Sequence, residues 1–218
     1  ITINPNAKIS AGTILDASQG AIIIDENATL DIGVLVKGPV YIGKSSIINP
    51  GAKIRGPVSI GEFCKVGGEV EDSIIHAFSN KQHDGFLGHS YVGEWVNLGA
   101  NTNTSDLKNN YSNVRVQLNN CDPTDTGKMF IGSLIGDFSS TAISTKLNSG
   151  TYIGTGSNIF SDGFQKKYIP AFTWGEDNKV GLNRFIKKCE ISMSRRDRDL
   201  SEALKNRLIN IWKSSSDC

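Results

Sequence analysis

Large aliphatic residues recur every six positions along the first third of the chain, at Ile24, Leu30, Val36, Ile42, Ile48, Ile54, Ile60 and Val66. Two positions earlier in each hexad stand Ile22, Ala28, Val34, Val40, Ser46, Ala52, Val58 and Cys64, mostly small or β-branched. An amphipathic helix needs a period near 3.6, and a simple strand alternates without regular turns. A strict six fits neither. It fits a coil in which each hexad makes one short strand and one corner, with three hexads closing a triangular turn. The large residue points inward and the small one lets the chain bend. Ile24, Ile42 and Ile60 are then expected on one face, Leu30, Ile48 and Val66 on the second, and Val36 with Ile54 on the third.

The register extends back through Leu15, Ile9 and Ile3, with extra residues near Ser18, Gln19 and Gly20. It breaks between Val66 and Val92, resumes at Val92 and Leu98, breaks again, and returns at Ile135, Thr141, Leu147, Ile153 and Ile159. The pattern predicts an all-β solenoid over residues 1–169, with inserted loops near 67–91 and 103–130. Solenoids display their insertions on one side, and loops carry chemistry more often than coils do. After Pro170 the period becomes helical. Asn183–Arg195 and Ser201–Trp212 read as helices, making 170–218 a helical appendage expected to cap the open end of the coil. Its basic cluster, Arg195, Arg196 and Arg198, reads as a solvated helix face.

Composition narrows the classes. Lys and Arg number 23 against 22 Asp and Glu, without the basic excess that nucleic-acid or membrane-surface binding needs. No apolar run approaches the ~20 residues that span a bilayer, and no signal peptide opens the sequence, so a cytoplasmic location is expected. Cys64, Cys121, Cys189 and Cys218 are scattered and form no C-x-x-C pair, which points to reduced thiols. The chain starts on Ile1 with the repeat under way almost at once, and it is expected to be a piece of a longer polypeptide.

The first break contains Asn80-Lys81-Gln82-His83-Asp84-Gly85-Phe86-Leu87-Gly88-His89, and the next coil runs Tyr91-Val92-Gly93-Glu94-Trp95-Val96-Asn97-Leu98-Gly99-Ala100-Asn101-Thr102. With GPVYIG, GPVSIG, KVGGEVEDSII, SDLKNNYSNV and IPAFTWG, these phrases resemble a family of bacterial sugar-phosphate nucleotidyltransferases. Its type is the bifunctional glucosamine-1-phosphate N-acetyltransferase/N-acetylglucosamine-1-phosphate uridylyltransferase. The resemblance covers roughly Gly38 to Gly175 and is densest from Lys65 to Val114. It implies a left-handed parallel β-helix of hexapeptide repeats, assembled as a homotrimer. It also implies acetyl-CoA-dependent N-acetylation of an amino-sugar phosphate, in nucleotide-sugar biosynthesis.

Site residues follow from the same likeness. His83 matches the general base, for which imidazole suits because it exchanges a proton near neutral pH. Asn97 matches a side chain holding the amino sugar, and Phe86 stands where the family has a tyrosine. Arg55 matches an arginine for the sugar phosphate, which a guanidinium fork fits, and Lys108 lies in a loop that supplies another basic residue. Ala100 matches the coil whose backbone approaches the acetyl group, where a peptide N–H can stabilise an oxyanion. The coils from Ile135 to Ser161 would wall the coenzyme. A phosphate-gripping lysine of the family has no counterpart, since Asp72 and Ser73 occupy its neighbourhood.

Two other readings stand beside this one. A zinc site of three histidines would have to use His76, His83 and His89, the only three present. Their close spacing disfavours it, and no metal is expected. The chain also lacks the Gly-rich signature of a nucleotidyltransferase, so that activity would belong to a preceding domain. This solenoid could then serve only to trimerise that domain.

Overall fold

A computed structural model describes residues 1–118 and 122–215, so Cys121 and Cys218 lie outside the described residues. The chain forms a parallel β-solenoid of about nine turns followed by two helices. Each turn crosses three faces. Face A is a nine-stranded parallel sheet from Thr2–Ile3 to Tyr168–Ile169. Face B stacks Ile47–Ile48, Lys65–Val66 and Asn80–Lys81, and continues through Asn97 to Ser140–Thr141 and Asn158–Ile159. Face C stacks Leu35–Lys37, Lys53–Arg55, Glu69–Glu71 and Phe86–Gly88.

The hexad stacking holds as read from the period. Ile24 pairs with Ile42 and Ile42 with Ile60 on face A, Leu30 with Ile48 and Ile48 with Val66 on face B, and Val36 with Ile54 on face C. All eight are at most 2% exposed, in one continuous core. Backbone ladders between coils satisfy the polar groups that this burial removes from water.

The first interruption differs from its expectation as an inserted loop near 67–91. The chain there stays in the coil, and the coil is shortened. Ile60 pairs with Ile75 and Ile75 with Val92, separations of 15 and 17 residues where the preceding coils have 18. The corner Gly67-Gly68 is cut short, and counting by six therefore loses the inward positions. Two shortened corners later, the inward place on face B next to Val66 is filled by Lys81. The second interruption does leave the coil. Val92 pairs with Ile135, 43 residues on, and the excursion is closed by the Ile131 N–H donating to the Asp106 carbonyl at 2.9 Å. A two-stranded antiparallel hairpin, Arg115–Val116 with Thr124–Asp125, stiffens it.

The helices α1 (Leu182–Ser194) and α2 (Glu202–Ser214) do not simply cap the open end. The corner between faces A and B carries an aromatic column, Phe63, Phe78, Trp95, Phe138 and Phe172, each with φ between 54° and 63°. Bulky side chains seldom occupy this left-handed region. Here near-parallel stacking of Phe63 on Phe78 (5.2 Å) and Phe78 on Trp95 (4.3 Å) offsets the cost. The apolar stripe of α1, Phe185, Ile186, Cys189 and Met193, buries against that column along the side of the solenoid. The arginine cluster is correspondingly not all solvated. Arg196 donates to the Phe63 carbonyl and to Asn80 Oδ1 (2.7 Å), and Arg198 lies over the Phe63 and Phe78 rings. Strands Thr173–Trp174 and Asn178–Lys179 carry β structure past residue 169. Among the described residues no helix is long and apolar enough to cross a membrane.

Candidate active site

Three histidines fall one to each corner of consecutive coils. His76 follows the face A strand Ile74–Ile75, His83 follows the face B strand Asn80–Lys81, and His89 follows the face C strand Phe86–Gly88. Among the described residues no group of neighbouring metal-ligand atoms within one chain holds more than one of them, whereas a zinc ion needs its ligands to converge at ~2.0–2.1 Å.

The corner between faces C and A is the chemically dense one. His89 takes the left-handed conformation there (φ 46°), as does Asp72 one coil earlier (φ 45°). Its Nδ1 lies 2.8 Å from Asp106 Oδ2, and its Nε2 lies 3.8 Å from Asp72 Oδ2. Phe130, at the far end of the excursion, stacks on the ring at 5.1 Å. Gly88 makes this approach possible, because a Cβ there would meet Asp106 Oδ2 at 2.5 Å and the Phe86 ring at 2.4 Å. With a proton on Nδ1 donated to Asp106, Nε2 is left as the acceptor nitrogen. Glu71, His89 and Asp106 offer ligand atoms within 4.8 Å of one another, the one such group among the described residues. The same atoms could therefore hold a cation.

His83 is placed differently. It is exposed at the corner between faces B and C, and its backbone carbonyl accepts from Lys81 Nζ at 2.8 Å. No carboxylate pairs with its ring among the described residues. Ala100 stands at the same corner one coil on, where the Asn101 N–H donates to the Asp84 carbonyl at 2.9 Å. Ser161, whose hydroxyl donates to Gln165 Oε1, continues that edge along later coils. Asn97 faces outward on face B beside Asn80, its Oδ1 3.4 Å from Asn80 Nδ2.

Arg55 and Phe86 lie on face C, between the two corners. The Arg55 guanidinium is ion-paired with Glu69 at 2.8 Å and with Glu71 at still closer contact. Phe86 donates its N–H to Asn103 Oδ1 at 2.9 Å. Lys108 braces the excursion, donating to Ser112 Oγ and to the Asn113 carbonyl. The expected residues are thus split in one chain. His83, Ala100 and Ser161 share one edge, while Arg55 leans toward the His89 corner and Asn97 belongs to face B.

Asp106 and Glu71 were not singled out from the sequence. Asp106 sits at the same corner as His89 one coil on, 17 residues later, just as His89 follows Asp72 by 17, and the shortened spacing hides this stack from a count by six. Lys81 was missed because the shortened coil hid its inward position. The residue is 4% exposed, its amine donates to the carbonyls of Gly67 and His83 at 2.8 Å each, and burial pulls its pKa down to about 8.

No protein-family model matches the chain. A bifunctional sugar-1-phosphate nucleotidylyltransferase/acetyltransferase from Sulfurisphaera tokodaii is 33% identical over 144 residues, covering 65% of this chain and 36% of that protein. Among solved structures, a candidate acetyltransferase from Bacillus cereus, the BC4754 product, matches 98% of this chain and 99% of its own at 16% identity and TM-score 0.43. An Arabidopsis UDP-N-acetylglucosamine acyltransferase matches 90% of this chain and 78% of its own at 15% identity and TM-score 0.37. By sequence, the chain is related to a bifunctional sugar-1-phosphate nucleotidylyltransferase/acetyltransferase, and it spans 36% of that relative's length.

Proposed function

We propose that this chain is an acyltransferase domain that moves an acetyl group from acetyl-CoA to the amine of an amino-sugar phosphate, with His89 as general base. The observation that carries this reading is the His89–Asp106 pair at 2.8 Å. A carboxylate on Nδ1 fixes ring orientation and tautomer, which aims the free Nε2 outward as a proton acceptor. His83, proposed from the resemblance, has no such partner among the described residues, and the base role passes to His89.

In the reaction, the neutral amine nitrogen attacks the thioester carbonyl and forms the new C–N bond. Nε2 takes the proton that the amine sheds, the C–S bond breaks, and the proton leaves with the coenzyme A thiol. Asp106 stabilises the imidazolium formed in between. The Asp72 carboxylate, 3.8 Å from Nε2, adds to Asp106 in stabilising that imidazolium.

Within one chain the His89 corner and the Ala100 edge border face C from opposite sides and do not close on each other. A homotrimer supplies the missing wall, with the Ala100–Ser161 edge of a second copy approaching the His89 corner. Ala100 and Ser161 then meet the coenzyme, and Arg55, Phe86 and Lys108 remain the candidates for the sugar phosphate, while Asn97, on face B, could reach it only from a second copy. A cytoplasmic role in nucleotide-sugar biosynthesis belongs to the same proposal. A second reading, a non-catalytic trimerising solenoid, is favoured by Arg55, whose guanidinium is already held by two glutamates. Thiol release from acetyl-CoA over a panel of amino-sugar phosphates decides between them. Turnover with any acceptor supports the enzyme, and none with all of them supports the scaffold.

A further inference from the structure

A groove of about 400 Å³ runs between α1 and face B, away from the His89 corner. In a three-sided solenoid the corner between faces C and A is opposite face B, so the packed core separates the two places within one chain. The floor of the groove is a ladder in register across successive coils, Lys65, Asn80, Asn97 and Ser140. Its wall is one stripe of α1 and the turn after it, carrying Lys188, Ser192, Arg195 and Arg196. Four cations line it, and no carboxylate does.

Docking of the helix explains only part of this charge. Lys188 spends its three donors on the Phe138 carbonyl (2.8 Å), Ser140 Oγ (3.0 Å) and Asn158 Oδ1 (2.8 Å), all neutral acceptors. Arg196 likewise bonds a backbone carbonyl and an asparagine oxygen. Lys65 and Arg195 have no ion-pair partner among the described residues. Burial pulls the Lys188 pKa down to about 8, and like-charge crowding by Arg195 adds to the burial that lowers Arg196. A half-enclosed cluster of like charges is unfavourable unless an anion compensates it. Amide side chains on the floor and the edges of Phe78 and Trp95 add neutral polar and aromatic contacts.

We propose that this groove is a second binding site, for a phosphate-bearing small molecule held by Lys65, Arg195 and Arg196, with the fully bonded Lys188 ammonium adding positive charge beneath them. Two sources share that chemistry: the phosphates of coenzyme A, and a free nucleotide or pyrophosphate. The site does not depend on His89 or on acyl transfer.

Calorimetric titration of the intact protein at low salt tests it, with inorganic pyrophosphate, UTP, coenzyme A and 3′-dephospho-coenzyme A as probes. Lys65→Glu and Arg195→Glu change surface-accessible groove residues, while Lys187→Glu makes the same charge change at an exposed position of α1 outside the groove. Binding of at least one probe should weaken roughly tenfold or more in the two groove variants and stay within about twofold in Lys187→Glu. Binding of coenzyme A that is lost without its 3′-phosphate identifies the coenzyme. Comparable binding of pyrophosphate and UTP identifies a free phosphate ligand. The proposal fails if no probe binds, or if all three substitutions weaken binding equally. Thiol release with His89 intact, measured in parallel, keeps this outcome separate from that of the catalytic reading.

Discussion

The coils from Ile22 to Val66 and those from Gly67 to Thr104 are built on one plan and used differently. The first set keeps a repeat of 18 residues, fills every large inward position with an aliphatic, and makes a plain stack. The second set drops residues at its corners, buries a lysine in the stack, and places a histidine at each of three successive corners. Regular coils supply stiffness, since each is held by the next. Shortened corners re-aim side chains, and there His89 meets Asp106 at the same corner of the next coil. Departure from the repeat is what separates the chemically equipped region from the scaffold.

The sharpest break of this comparison is in the regular half. Ile48→Asp buries an unpaired carboxylate in a fully enclosed aliphatic stack and should cost about 4 kcal/mol or more, read as loss of the cooperative thermal transition. Asp106→Asn, in the irregular half, should leave the melt nearly unchanged. It should lower acetyl transfer on the order of 10²-fold by upsetting the His89 tautomer.

Lys81 gives a pH signature. Its folded pKa of about 8 lies below the ordinary lysine value, so between these values the unfolded chain binds more protons than the folded one. Stability should therefore rise with pH above about 8, the burial cost being fully present below it. Lys188 acts in the same direction. Lys81→Met should flatten part of that rise in Tm between pH 7.5 and 9.5; an unchanged slope would mean that Lys81 is not buried as a cation. The smallest effect is expected of Arg55→Ala. Its half-exposed ion pairs should be worth less than ~1 kcal/mol in the melt. A rise of tenfold or more in the KM for an amino-sugar phosphate would show that Arg55 leaves its glutamates to bind phosphate.

The scaffold was legible because its cause is local. Each hexad declares an inward aliphatic, and Ile24 through Val66 stack on the faces that counting assigns. The excursion after Thr104 was legible as a loss of period. The shortened coils were not, because deleting residues at a corner shifts every later inward position. Lys81 thus read as an ordinary polar residue, and His89 as the tail of a loop centred on His83. The His89–Asp106 contact joins residues 17 apart, the spacing of a shortened coil, which a count by six does not reach. The groove beside α1 was hidden for a similar reason. Arg195 and Arg196 read as a solvated helix face until the aromatic column at Phe63, Phe78 and Trp95 fixed where that helix lies.

The most direct test compares the two histidines in one assay, following thiol release from acetyl-CoA with an accepted amino-sugar phosphate. His89→Ala should lower kcat by ~10²–10⁴-fold with an unchanged melt, while His83→Ala should stay within a few-fold of the wild type. The opposite pattern, a silent His89→Ala and a disabling His83→Ala, would contradict the assignment of the base to the shortened coil's His89–Asp106 corner.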